Sequence, residues 1–122
     1  ANYVAVSVGE AQPVGVDIEE FRPKIERIQH KFMSETELKN LDTKAPLEAL
    51  HLHWCAKETV FKIFGNGGVD FKGHIFVHPF TVGDAGELEV DFCKTTMPQK
   101  LVLDYEYNGT FFLVYGCARL VG

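Results

Sequence analysis

The alternation of apolar and polar residues predicts that the chain begins with strands. Residues 3–8 are rich in β-branched side chains, and residues 13–19 alternate between apolar and small or charged side chains. A turn-like segment joins the two runs, so we expect an antiparallel hairpin. Strand geometry places alternate residues of the second run on opposite faces: Val14, Val16 and Ile18 on one, and Gly15, Asp17 and Glu19 on the other.

Two short helices are predicted next. The first is expected over residues 24–31. Ser34 and Glu37 then have the spacing of a capping box, and Met33 and Leu38 have that of a hydrophobic staple. These signals predict that a second helix begins here, and they give Glu37 a structural role as part of its cap.

A long helix is predicted from Pro46 to near Phe64, followed by a glycine-rich segment that suits a C-terminal cap. Its larger apolar residues fall on a single face at helical spacing: Leu47, Leu50, Trp54, Phe61 and Phe64. Lys57 and Glu58 flank that stripe, and Lys62 lies one turn beyond Glu58. Charges at the edge of a core-facing stripe are costly unless a partner satisfies them. The partner is either structural, as in a Glu58–Lys62 surface pair, or a ligand.

The rest of the chain is predicted to form antiparallel strands. Apolar or alternating runs occur at residues 75–80, 87–92 and 100–105, and Asn108-Gly109 is a strong hairpin-turn signal. Residues 111–117 are nearly all apolar and are expected to form an inner strand. The order of elements predicts an α+β fold, with an antiparallel sheet packed against the long helix and the short helices.

Composition narrows the class of protein. The 122 residues, of which 46% are hydrophobic, predict a single domain over residues 1–122. The net charge of -5 argues against a general nucleic-acid binder, and no apolar run is long enough for a membrane span. Three cysteines without metal-site spacing predict buried free thiols, which fits a reducing, cytoplasmic location.

Several polar residues are candidates for chemistry. Asp17 and Glu19, beside Gly15, have the spacing of half a divalent-cation site, although they also suit a solvated face. His51 and His53 are two residues apart on a helix, which splays their rings, so we expect neither to bind a metal. The densest basic cluster suits either a solvated helix face or a docking or phosphate-facing patch: Arg22, Lys24, Arg27 and Lys31.

Two of these motifs together resemble the signatures of the 4′-phosphopantetheinyl transferase superfamily. They are the strand at residues 14–19 and the pattern Trp54-x-x-Lys57-Glu58-x-x-x-Lys62, and residues 32–37 are similar to a third segment, Phe-x-Ser-x-x-Glu. The length suits the homotrimeric holo-acyl-carrier-protein synthase type. The strand at residues 3–8 and Glu19 instead favour the C-terminal half of the surfactin-synthetase-activating type, a pseudo-dimer. The chain is therefore expected to be a fragment of a two-module protein.

The resemblance implies a reaction and a set of roles. The phosphopantetheine arm of coenzyme A would move to a serine of an acyl or peptidyl carrier protein. Magnesium would be held by Asp17, Glu19 and Glu58, and coenzyme A phosphates would be contacted by Lys57 and Lys62. Glu58 would act as the base, with Glu37 as a second candidate. A second similar module, upstream in the chain or from another copy, would complete the cleft.

Two other functions fit the same residues. A non-catalytic half-module for packing or for docking a carrier protein would keep the motifs by descent. A metal-dependent phosphohydrolase would use the same three carboxylates to degrade coenzyme A without a carrier acceptor.

Overall fold

A computed structural model describes residues 13–65, 67–94 and 98–117. Within these residues the chain forms a five-stranded sheet and three helical segments. In chain order they are β1 (Val14–Glu20), a 3-10 helix (Ile25–Lys31), α1 (Glu35–Lys39), α2 (Pro46–Phe64), β2 (Ile75–Val77), β3 (Ala85–Phe92), β4 (Gln99–Tyr107) and β5 (Phe111–Cys117). The strand predicted at residues 3–8 lies outside the described residues. The predicted α+β architecture is confirmed.

The sheet is antiparallel throughout its described strands, in the order β1-β5-β4-β3-β2. β5 lies between β1 and β4, which confirms the predicted inner strand. The turn between β4 and β5 is also as predicted, since Gly109 has a φ of 93° and the Asn108 side chain accepts hydrogen bonds from two backbone N–H groups. The strand predicted over residues 75–80 is shorter and ends at Val77.

Helix α2 is buried on two sides, which corrects the expectation of one apolar face. Against the sheet it packs a stripe that differs from the predicted one: Leu52, Cys55, Ala56, Val60 and Ile63. On another side Leu50, with the half-buried Leu47 and Trp54, packs against a second cluster that includes Phe32 and Met33. The predicted stripe is therefore split, because α2 lies between the sheet and the short helices.

The two faces of β1 follow the predicted alternation, but the carboxylate face is the one that faces inward. Gly15 and Asp17 are buried beneath α2, whereas Val14 and Ile18 are 37% and 47% exposed. The alternative in which Asp17 lines a solvated face is therefore wrong. A glycine at position 15 allows the helix to approach this face, so the apolar side chains are left on the outer surface.

The capping box at the start of α1 is confirmed. Ser34 Oγ accepts a hydrogen bond from the backbone N–H of Glu37, and Glu37 Oε1 accepts one from the backbone N–H of Ser34. Met33 and Leu38 pack in the same cluster, as the staple predicts. No helix in the described part of the chain combines the length and apolar character that crossing a bilayer requires.

Candidate functional site

The candidate site lies where β1 and α2 meet. Asp17 and Glu19 come from β1, and Glu58 and Lys62 come from α2. Lys62 Nζ donates hydrogen bonds to Asp17 Oδ1 at 2.9 Å and to the backbone carbonyl of Val16 at 3.0 Å. The partner of Lys62 is therefore a carboxylate on the strand rather than the Glu58 of a simple surface pair on one helix.

Asp17 is only partly satisfied. Its side chain is 8% exposed, and Oδ1 receives the Lys62 ammonium. The other oxygen, Oδ2, is buried and has no hydrogen-bond partner among the described residues. A buried acceptor in that state costs about 1–3 kcal/mol, so a donor or a cation belongs beside it.

The carboxylates at this junction perturb one another. Burial, the nearby Asp17 carboxyl and the charge of Glu58 raise the pKa of Glu19 to about 8. Burial and the Asp17 charge also raise the pKa of Glu58. Burial opposes the charged form of Lys62, but its contact with Asp17 outweighs that effect and raises the Lys62 pKa. The acidic groups therefore repel one another, and a further positive charge would relieve that repulsion.

The chemistry of these groups suits a divalent cation, but their arrangement in this structure does not form a cation site. Within the described residues, no three His, Cys, Asp or Glu side chains are arranged so that they could hold a metal ion. Asp17, Glu19 and Glu58 nevertheless offer the oxygen donors that magnesium prefers, and the unpartnered Asp17 Oδ2 is among them. Cation binding here would have to draw the carboxylates together.

Lys57 lies in the protein core, apart from this cluster. Its side chain is fully buried, and Nζ donates hydrogen bonds to Glu37 Oε1 at 2.8 Å and to the backbone carbonyls of Phe32 and Phe71. Burial lowers the Lys57 pKa, and the Glu37 charge opposes that shift. With its ammonium donors occupied, Lys57 is not presented to a ligand in this structure, although the sequence motif suggests a phosphate contact.

Glu37 is equally enclosed. Besides the bonds to Lys57 and Ser34, its Oε2 accepts a hydrogen bond from the backbone N–H of Val77 at 2.8 Å. The carboxylate thus connects the start of α1 to α2 and to β2. The structure places this second candidate base in the core, with both oxygens engaged.

Neither helical histidine is presented as a ligand. His51 is stacked between Phe21 and Phe112, with ring centroids 4.9 and 4.7 Å away, and its Nε2 accepts a hydrogen bond from the backbone N–H of Arg22. Burial lowers the pKa of His53 to about 4, and its Nδ1 contacts a backbone carbonyl at 2.9 Å.

The three cysteines are free, but they are not all buried as predicted. Cys55 is buried, and burial raises the pKa of its thiol, whereas Cys93 is exposed and Cys117 is half-buried. Cys55 Sγ donates a hydrogen bond to the backbone carbonyl of Asp17 at 3.2 Å. This direct contact with the carboxylate strand was not expected from the sequence.

A cavity of about 230 Å³ lies beside Glu19. Acidic, basic, aliphatic and aromatic side chains line it: Glu19, Glu20, Arg22, Lys24, Ile25, Ile28, His51 and Trp54. The sequence indicated the basic residues but not the contribution of His51 and Trp54. Trp54 lies four residues and His51 seven residues before Glu58 on the same helix, and this spacing was the available signal.

Comparison with known proteins identifies a family. The chain matches ACPS, the 4′-phosphopantetheinyl transferase superfamily, over residues 13–110, which is most of its length. The matched region contains both sequence motifs and every residue of the candidate site. No curated protein matches the chain.

Proposed function

Because this chain belongs to the 4′-phosphopantetheinyl transferase superfamily, we propose that it carries the metal side of a transferase site. The reaction would move the 4′-phosphopantetheine arm of coenzyme A to a serine of an acyl or peptidyl carrier protein. The observation that carries the proposal is the buried Asp17, which has one oxygen bonded to Lys62 and the other without a hydrogen-bond partner within the described residues. The carboxyls of Glu19 and Glu58 lie close enough for Asp17 to raise their pKa values.

Magnesium would be held by Asp17, Glu19 and Glu58. When bound, it would supply positive charge to the pyrophosphate of coenzyme A and to the departing phosphate. Lys62 would add a second positive charge, since its side chain is 49% exposed and can reach a phosphate outside the protein. Lys57 would instead hold the helix in place, because its donors are occupied in the core.

Glu58 is the proposed base. In the metal-free protein, its half-buried position and the neighbouring Asp17 charge raise its pKa, which makes the carboxylate a stronger proton acceptor. The serine oxygen would bond to the phosphorus that carries the pantetheine arm, and the bond from that phosphorus to the bridging oxygen would break. Glu58 would take the hydroxyl proton, and adenosine 3′,5′-bisphosphate would leave. Positioning and electrostatics would supply most of the acceleration.

A second similar module would complete the cleft, from the same chain or from another copy. The outer side of the sheet supports this part of the proposal. Ile18 and Phe111 are 47% and 46% exposed there, beside a cavity of about 350 Å³ that Leu113 also lines. This surface lies on the opposite face of β1 from Asp17 and Glu19, so a module seated on it would contact the strand that carries them.

The test is a carrier-modification assay. The chain is incubated with magnesium, coenzyme A and an unmodified carrier protein, and the carrier is examined by mass spectrometry. A mass gain of one phosphopantetheine, lost in Asp17→Asn, supports the transferase. Adenosine 3′,5′-bisphosphate released without a modified carrier would indicate the hydrolase instead.

The non-catalytic half-module is the second candidate. It is favoured by the lack of a ready three-ligand metal group within the described residues and by the enclosed Lys57. An unmodified carrier that still binds the chain, measured by calorimetry, would identify this function. The same assay repeated with any upstream module present separates an incomplete site from an inactive one.

A further inference from the structure

Helix α2 and strand β1 approach each other closely at Gly15. A Cβ atom on this residue would lie 2.6 Å from the backbone oxygen of Thr59 and 2.8 Å from Ile63 Cγ1. Both distances are well inside van der Waals contact, and the first involves helix backbone that no side-chain rotation can move. Only glycine therefore leaves α2 where it stands.

Two buried side chains of α2 fix its position on the sheet, Cys55 through a bond to β1 and Thr59 through a bond to the neighbouring strand β5. Cys55 Sγ donates to the backbone carbonyl of Asp17 at 3.2 Å, while Thr59 Oγ1 lies 2.8 Å from the Cys55 carbonyl and 3.3 Å from that of Val114. Four helical residues rise about 6 Å, and two strand residues rise about 6.6 Å. The distance from Cys55 to Thr59 along α2 therefore matches the distance from Asp17 to Gly15 along β1. Cys55 lies over Asp17 and Thr59 over Gly15, and this sets one register between the two elements.

This register determines where the acidic groups lie. Glu58 immediately precedes Thr59, and Asp17 lies two residues after Gly15 on the same face of β1. A displacement of the helix at Thr59 would therefore move Glu58 and Lys62 relative to Asp17. The Asp17–Lys62 contact of 2.9 Å depends on the same spacing.

We propose that Gly15, Cys55 and Thr59 are positioning residues that set the distance between the carboxylates of β1 and those of α2. In this role none of them contacts substrate or metal. The expected effect on metal binding rests on the proposed function. Gly15 sets the separation of α2 from β1, and Cys55 and Thr59 set the register between them. A substitution at any of the three would therefore change the site without removing a metal ligand.

The substitution Gly15→Ala tests the separation. The matched control is Gly116→Ala, because Gly116 is the cross-strand partner of Gly15 and its added Cβ would clash at 2.5 Å with the Cδ2 atom of the buried Leu103 side chain on β4, so that it imposes a similar steric cost within the sheet without touching α2. We expect Gly15→Ala to weaken Mn²⁺ binding by about 10–100-fold, measured by electron paramagnetic resonance, and Gly116→Ala to retain wild-type affinity. Equal Mn²⁺ affinities in the two variants would overturn the proposal.

A second variant covers the case in which Gly15→Ala does not fold. Thr59→Val keeps the shape of the side chain but removes its hydroxyl, whereas Thr59→Ser keeps the hydroxyl. We expect weaker Mn²⁺ binding in Thr59→Val and wild-type binding in Thr59→Ser. Similar binding in both variants would remove Thr59 from the proposed set.

The crystal structure of metal-free Gly15→Ala is a readout that does not depend on metal. We expect α2 to move away from β1 at Thr59, with the Cys55 Sγ–Asp17 carbonyl contact lengthened beyond hydrogen-bonding distance. An unmoved helix would overturn the positioning role. If the wild-type chain binds no Mn²⁺ and the helix still moves in the variant, the metal proposal fails while the positioning role stands.

Discussion

Two lysines of one helix form ion pairs of opposite character. Lys57 and Glu37 are both fully buried, and backbone groups occupy the rest of their hydrogen-bonding capacity. Lys62 is half-exposed, and its partner Asp17 keeps one oxygen without a hydrogen bond within the described structure. The first pair is closed and the second is open.

This difference separates two uses of the same chemistry. A buried pair with every donor and acceptor engaged holds neighbouring elements together and leaves nothing for a ligand. In a pair with an unpartnered buried oxygen and an accessible ammonium, the oxygen can bind a metal cation while the ammonium binds an anionic group such as a phosphate. Enclosure therefore distinguishes the residues that hold the fold from those proposed to act on coenzyme A.

The largest expected effect comes from breaking the closed pair. Lys57→Met would leave the Glu37 carboxylate buried without its counter-charge, which we expect to lower the free energy of unfolding by about 3–5 kcal/mol. Urea denaturation followed by circular dichroism measures this loss.

The control is the double variant Lys57→Met/Glu37→Gln. It removes both charges, keeps an acceptor for the Ser34 N–H, and should recover part of the lost stability. A loss below about 1 kcal/mol for Lys57→Met would put this pair in the range of exposed ion pairs and remove the contrast between the two lysines.

An intermediate effect is expected from the open pair, chiefly on activity. Lys62→Met should lower the free energy of unfolding by about 1–3 kcal/mol, less than Lys57→Met, because half of the Lys62 side chain is already in water but the buried Asp17 carboxylate loses its donor. It should slow carrier modification by about 100-fold, since a positive charge on the departing phosphate is lost. Lys39→Met, at an exposed position of α1, is the control and should retain full activity.

The smallest expected effect is a pH dependence of the metal-free protein. The pKa of Glu19 is raised from 4.5 to about 8, so its neutral form is favoured in the folded state. Stability should therefore fall as the pH rises through this window, because the folded protein must then ionise Glu19 next to Asp17 and Glu58. Thermal unfolding without magnesium measures the slope, and Glu19→Gln should flatten it. A slope unchanged in that variant would assign the dependence to other groups.

Much of the fold could be predicted from the sequence because its signals are local. The capping box at Ser34 and the Asn108-Gly109 turn depend on a few neighbouring residues, and both were confirmed. The inward face of β1 could not be predicted in this way. Alternation separates Asp17 from Ile18, but only the packing of α2 decides which face is covered.

The same limit applies to the candidate site. Lys57 and Lys62 are five positions apart, so helix geometry directs them about 140° apart around the axis. The sequence therefore predicts that the two lysine side chains point in different directions. Which one lies inside depends on where α1 and the segment before β2 pack, and these contacts are set by the tertiary fold.

The chain contains a single tryptophan, and its position gives the protein a built-in optical reporter. Trp54 is half-buried between Phe32 and Phe71, with ring centroids 5.2 and 5.6 Å away, and it lines the cavity beside Glu19. Its fluorescence therefore comes from one place in the molecule. A ligand that enters this cavity will shift the emission of the unlabelled protein, and a molecule that binds on the far side of the sheet will leave it unchanged.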